Sequence, residues 1–278
     1  MTTLYQMALD QSVVDCGMSY VYRLESGHFF ILDGGYFTLG EGERLYRFLC
    51  EHCEGKPHIS GWFFSHIHQD HIGAFMDVML EHRDDIELER LIFNFPETKL
   101  PATCEDWREQ SHDIATLKRF YEILDSHCKD VPVVTPHMGE HYQIEELSID
   151  VLFSHEHLDE PSTVNDQSTV LKITAAGQSV LFLGDIWKVA SRVMLAKGKD
   201  QLPCDIVQIA HHCFNGGTIE LYQAIHAETA MWPVADYAME REKERPENVW
   251  LQNSSSVKQH IYAYNGTVGL QLPYHPVD

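Results

Sequence analysis

Ser65-His66-Ile67-His68-Gln69-Asp70-His71 follows directly on the apolar run Gly61-Trp62-Phe63-Phe64 and brings three imidazoles and one carboxylate close together along the chain. Phe63 and Phe64 read as the end of a buried strand, and Gly73 with the apolar Ile72, Ala74, Phe75 and Met76 opens a helical pattern. The cluster therefore sits at a strand-to-helix corner. Alternation puts His66 and His68 on one side of an extended segment, while Asp70 and His71, at the incoming helix, can point at a second locus nearby. That is one ligand pair for each of two adjacent cations. Neutral imidazole and carboxylate oxygen suit zinc, iron or manganese, and these ligand types exclude an all-thiolate structural zinc site.

Working outward, the 278 residues are long enough for one large or two small domains, and a 44% hydrophobic content is ordinary for a packed globular protein. No Pro/Ser/Gly-rich linker, repeat or low-complexity tract divides the chain, so one domain over 1–278 is expected. The start, Met1 to Met7, lacks a basic and then apolar leader, and no apolar run reaches the roughly 18 residues of a membrane span. A soluble, cytoplasmic protein without membrane contact is the expectation. The seven cysteines are scattered, which suits reduced thiols better than a disulfide framework. Cys50 and Cys53 have the spacing of a metal or redox pair, but they lie in an apparent helix with no second pair, and read as core or surface residues. With 20 basic against 42 acidic residues the net charge is −22, so most of the surface repels polyanions. Long nucleic acid is not an expected partner, and a small-molecule substrate is; the oligomeric state is left open.

Taken in order, Ser12 to Asp15, Tyr20 to Leu24 and His28 to Leu32 read as the first strands, with a hairpin turn at Glu25-Ser26-Gly27. Glu41 to Cys53 reads as a helix, Ile72 to Glu81 as another, and Leu91 to Phe95 as a strand closed by Pro96. Glu105 to Cys128 forms a long amphipathic pattern with Ile114, Leu117, Tyr121 and Leu124 at helical spacing, and its His112 and His127 read as surface or packing residues. Strand patterning returns at Val131 to Val134, Tyr142 to Ile144 and Leu147 to Phe153. Asn165 to Leu171 and Gly177 to Asp185 then form a β-hairpin, and Asp205 to Ala210 is a further buried strand.

The His-x-His-x-Asp-His form of the first stretch resembles the metallo-β-lactamase fold superfamily. The resemblance implies an α/β four-layer αβ/βα sandwich with one or two metals at the mouth between the sheets. A strand ending in Asp-Gly-Gly usually precedes the motif, and Asp33 before Gly34-Gly35 matches it, in a role of supporting the site by hydrogen bonding. A further histidine usually follows a later strand; His157 after Leu147–Phe153 stands at about that distance, with His155 as the alternative. Gly184-Asp185 resembles the bridging position, because a carboxylate can hold two metals and a single imidazole cannot. One of His211 and His212 should complete the second metal site; His211 is favoured, since the last ligand closes its strand. Asn165-Asp166-Gln167-Ser168, Leu183-Gly184-Asp185 and the strand ending in His211-His212 resemble a narrower branch, the hydrolase domain of bacterial DNA-uptake competence proteins and their free-standing relatives.

The motifs together imply a metal-dependent hydrolase whose two divalent cations, zinc foremost with manganese or iron as alternatives, lower the pKa of a shared water. His66, His68 and His157 would hold one metal, Asp70, His71 and His211 or His212 the other, with Asp185 between; Asp70 and Asp185 are the expected catalytic carboxylates. The competence-type motifs point to a small phosphoester or phosphodiester. A β-lactam, thioester or lactone hydrolase is the alternative, because fold does not fix substrate; a non-catalytic metal-binding scaffold would show damaged ligand positions.

Overall fold

A computed structural model describes residues 1–95, 107–160 and 162–276, with the backbone alone for 107–111. Pro96, Cys104 and the first residues of the expected helix from Glu105 lie outside the described residues, as does Pro161 in the acidic loop. Two mixed sheets face each other. The first contains β1 (Thr3–Gln6), β2 (Ser19–Arg23), β3 (Phe29–Asp33), β4 (His58–Phe64), β5 (Glu87–Leu88), β6 (Leu91–Phe93) and β7 (Val133–Val134). The second contains β8 (His141–Ile144), β9 (Leu147–Phe153), β10 (Val170–Ala175), β11 (Gln178–Phe182), β12 (Ile206–Gln208), β13 (Thr229–Trp232) and β14 (Gln259–Tyr262). β15 (Val268–Gln271) returns to the first sheet beside β1. The strand orders are β15-β1-β2-β3-β4-β6-β7, with β5 also on β4, and β14-β13-β12-β11-β10-β9-β8.

In each sheet antiparallel hairpins give way to parallel strands near the middle, at β3 and β4 in one and at β11 and β12 in the other. Parallel strands need crossover connections, and helices supply them. α1 (Glu41–Glu51), α2 (Gln69–Glu81) and α3 (Trp107–His127) belong to the first half of the chain. α4 (Lys188–Gly198), α5 (Ile219–Ile225), α6 (Asp236–Glu242) and α7 (Pro246–Asn253) belong to the second. Alternation along β4 sends Trp62 and Phe64 into a core shared with Leu45, Phe75 and Phe120 of the first helices, and Phe63 into the layer between the sheets. Burial on both faces explains the unbroken apolar run. The intersheet layer joins Tyr20, Phe30 and Leu32 to Val151, Ile173 and Phe182, and the Tyr20 and Phe182 rings meet edge to face at 5.2 Å. A third core packs the second sheet under α4 to α7 through Leu181, Met194, Leu221, Trp232 and Leu251. The result is the expected four-layer αβ/βα sandwich.

Several local expectations shift. Ser12 to Asp15 is a turn and not a strand, because Asp10 takes the Ser12 amide through Oδ1 and the Val13 and Val14 amides through its carbonyl. The first strand is instead Thr3–Gln6. The buried face of α3 runs through Asp113, Thr116, Leu117, Phe120 and Ile123, while Tyr121 is exposed, so the apolar stripe lies beside the one read from Ile114, Leu117, Tyr121 and Leu124. Among the described residues no helix is long and apolar enough to cross a membrane.

Candidate metal centre

The corner after β4 needs a close helix approach, and Gly73 permits it: a Cβ there would lie 2.0 Å from the Phe37 backbone nitrogen. α2 begins at Gln69, so Asp70 and His71 stand in its first turn, while His66 lies in the bend after β4 and His68, with extended backbone, caps the helix. From the second sheet, Gly184 (φ +57°) turns the chain after β11 and packs onto Ser168, which delivers Asp185. His211 and His212 follow β12 with φ of 49° and 50°, a left-handed backbone costly for non-glycine residues and held only by surrounding contacts.

These segments meet at the end of the sandwich. Asp70, His71, Asp185 and His212 form one group of mutually close ligand atoms, and His66, His68 and Asp185 form another. Asp185 Oδ2 is common to both, 3.2 Å from His71 Nε2, 3.4 Å from His212 Nε2 and 3.8 Å from His66 Nε2. Asp70 Oδ2 lies 3.1 Å from His212 Nε2, and His66 Nε2 lies 3.0 Å from His68 Nδ1.

The outward nitrogens decide which atoms are bare. His71 Nδ1–H donates to Asp33 Oδ2 at 2.9 Å, and His212 Nδ1–H to the Pro233 carbonyl at 2.8 Å. His66 Nδ1 faces the hydroxyls of Ser65 and Ser168 at 3.1 and 3.2 Å, and His68 Nε2 faces Asp113 Oδ2 at 3.7 Å. His66, His71 and His212 turn Nε2 toward Asp185 Oδ2, and the outward Nδ1 donations of His71 and His212 leave that nitrogen free to ligate once the ring is neutral, as metal-binding histidines require. Among the described residues Asp185 Oδ1 has no hydrogen-bond partner although it is buried, an orphaned acceptor that a cation would satisfy. The donor set fits two divalent cations.

The electrostatics agree with a site built for positive charge. Burial opposes ionisation of Asp70 and Asp185, but His71 and His212 outweigh it and hold both carboxyls below their ordinary range. Burial, then the neighbouring His71 and His68, push His66 down and keep it neutral. Cys16 Sγ stands 3.5 Å from Asp70 Oδ2, close enough for the thiol to support that carboxylate.

Two of the expected ligands stand apart from these two groups. His157 is not drawn into the cluster: the short turn His155–His157 after β9 carries it out to Lys197, 3.2 Å away, and His155 bonds Asn94 at 3.1 Å. The residue that reaches His66 from this side is Ser168, whose hydroxyl also takes the Asp185 amide at 3.0 Å. His212, and not His211, faces the cluster, because His211 Nδ1 accepts the Trp187 indole N–H at 2.6 Å and so carries its proton on Nε2, with no lone pair to give. Burial lowers the His211 pKa to about 4, so the ring is neutral. Sequence reasoning passed over Asp113; a carboxylate four residues before Leu117 on the buried face of α3 was the available signal. Cys50, exposed, and Cys53, half-buried, are free thiols.

A family model described as the metallo-beta-lactamase superfamily matches residues 14–229. This chain belongs to the metallo-β-lactamase superfamily. The uncharacterized protein YcaI of Escherichia coli (strain K12) is 27% identical over 111 residues, which are 40% of this chain and only 13% of YcaI. Zn2+-bound PqqB from Methylobacterium extorquens superposes with a TM-score of 0.59 at 9% identity, over 98% of this chain and 100% of that one. A diphosphatase from the PhnP family gives 0.54 at 12%, over 98% of each chain. CmlA, a diiron β-hydroxylase from Streptomyces venezuelae, gives 0.55 at 14%, over 98% of this chain, which spans 54% of the hydroxylase. At these identities the solved structures share the superfamily's fold.

Proposed function

We propose that this protein is a dinuclear metal-dependent hydrolase acting on a small phosphoester or phosphodiester. The observation that carries the reading is Asp185 Oδ2 within 4 Å of three imidazole nitrogens that belong to two ligand groups. His66 and His68 would hold one cation, Asp70, His71 and His212 the other, and Asp185 both. Bound divalent cations would supply Lewis acidity toward a phosphoryl oxygen and acidify water at neutral pH. The chain's own contribution is to hold His71 and His212 in one tautomer through Asp33 and the Pro233 carbonyl, with Ser168 and Asp113 beside His66 and His68, so that little reorganisation accompanies binding.

The phosphoester class is supported by the competence-type motifs, and a diphosphatase is among the structural neighbours. With His157 turned away, the His66–His68 group has fewer protein ligands than the other, which leaves room for a substrate oxygen. The net charge of −22 favours a small substrate over a long polyanion. Zinc is the first expectation for these donors, with manganese or iron as alternatives, and the free thiols suit the cytoplasm. The test is a hydrolysis screen on metal-loaded protein with bis-p-nitrophenyl phosphate, a phosphomonoester, a thioester, a lactone and a β-lactam. Turnover of one of the phosphate substrates is expected; turnover of a carbonyl substrate with both phosphate substrates untouched would reject the assignment.

A further inference from the structure

His211 is left unused by the metal centre, yet its ring is fixed as firmly as those of the ligands. An indole N–H can only donate, so the 2.6 Å contact from Trp187 Nε1 to His211 Nδ1 makes Nδ1 the acceptor and places the ring proton on Nε2. Among the described residues that N–H has no hydrogen-bond acceptor closer than 3.5 Å. The nearest polar group is Asn165 Nδ2 at 3.5 Å, itself a donor, and turning the amide over would bring Oδ1 in at the same distance, too long for a sound bond. The ring stands beside the metal centre, its centroid 6.3 Å from that of His212. Trp187 and His211 are only partly buried, as the mouth of a site requires, while Asn165 is buried beneath them. The left-handed backbone at His211 (φ 49°) points two successive histidines at different tasks.

We propose that His211 is a substrate-positioning residue: its Nε2–H, fixed by Trp187, and Asn165 Nδ2 donate together to an anionic phosphoryl oxygen bound beside the two metals. The pair then gains the acceptor that neither donor can offer the other. A neutral donor suits this place because it binds the oxygen without adding a further positive charge beside the two cations. This rests on the phosphoester reading above and adds to it the group that orients the substrate.

The experiment compares wild type, His211→Ala, His211→Gln, Trp187→Phe and His212→Ala. Metal content by mass spectrometry should match wild type in both His211 variants and fall by at least one equivalent in His212→Ala. Loss of metal from His211→Ala would make it a ligand and overturn the proposal. Metal-loaded proteins are then titrated with inorganic phosphate, followed by calorimetry and, where Trp187 is present, by its fluorescence. His211→Ala should raise Kd by about 10- to 100-fold, the loss of one hydrogen bond to a charged group. His211→Gln, which restores an N–H, should recover part of it, and Trp187→Phe, which frees the tautomer, should fall between. Equal affinity of wild type and His211→Ala overturns this proposal and leaves the phosphoester reading standing; failure of wild type to bind phosphate or cleave a phosphoester overturns both. Imidazole nitrogen NMR gives a check independent of folding losses in the variants: the Nε2–H tautomer is expected for His211, and an Nδ1–H tautomer rejects the assignment.

Discussion

Asp33 Oδ2 lies 2.9 Å from His71 Nδ1, and the same carboxylate takes the Ser65 amide at 2.7 Å and its hydroxyl at 2.8 Å. The end of β3 is thus tied to both ends of the histidine motif. An asparagine at position 33 would keep one acceptor oxygen but turn an amide donor toward His71 Nδ1. That ring would then favour its other tautomer, with the proton on the nitrogen facing Asp185. Asp33→Asn should lower metal affinity and turnover by roughly 10- to 100-fold. Metal stoichiometry and turnover of the purified variant check this, and wild-type values for both would count against it.

Asp113 Oδ2 stands 3.7 Å from His68 Nε2, an ion-pair distance, on a helix that belongs to the body of the first layer. Phe120, two turns along the same face, packs among Phe64, Phe75 and Phe93, so α3 is anchored independently of the carboxylate. Asp113→Ala should therefore leave the fold in place and weaken the His66–His68 site by about 10-fold or more. Competition of zinc binding against a chromophoric chelator measures it. A variant with unchanged affinity at both sites would remove Asp113 from the centre.

Metal removal should expose a pH dependence that the loaded protein lacks. In the metal-free protein burial works against the charged ring of His212, yet Asp185 and Asp70 outweigh it and raise its pKa from 6.5 to about 10. A pKa raised by folding contributes stability that is fully present below the unfolded value and lost as pH climbs through the folded one. Chelated protein should therefore lose melting temperature between about pH 6.5 and about pH 10, whereas loaded protein, its imidazoles neutral and ligating, should change little over that window. Parallel melting curves with and without chelator across it would contradict the electrostatic picture.

The first motif was legible because its residues are neighbours in sequence and the strand before them is apolar on both faces. Asp33 and Asp185 were expected from the resemblance of Asp33-Gly34-Gly35 and Gly184-Asp185 to the superfamily's motifs. The choice between His211 and His212 could not be read in the same way. Two adjacent residues of one type differ only through Pro233 and Trp187, which reach them from other segments, and through two left-handed backbone positions that no propensity foretells. His157 misled for a related reason: distance after a strand does not say which way a short turn will point. The pairing of Thr3 with Gln271, which closes the first sheet with the two ends of the described chain, joins short strands without an apolar run and leaves no local signal.

The sharpest prediction concerns Asp185. Its Oδ2 stands between His71 and His66, its Oδ1 is buried without a partner among the described residues, and its amide is held by Ser168. Asn in its place keeps the shape and one oxygen but removes the negative charge that offsets two cations, and it sets an NH2 group where a bare nitrogen or a metal should be. Metal content should drop below two equivalents, and kcat should fall by about 10²-fold or more, as when a group acting at the transition state is lost. Global stability should suffer less than these losses suggest, because Asp185 follows the end of β11 and the apolar layers around it are untouched. Mass spectrometry for metal, melting temperature and turnover on a phosphodiester, measured on one preparation, separate the possibilities. Two metals retained with near-normal turnover would mean that this carboxylate does not join the two sites, and the dinuclear hydrolytic centre would have to be abandoned.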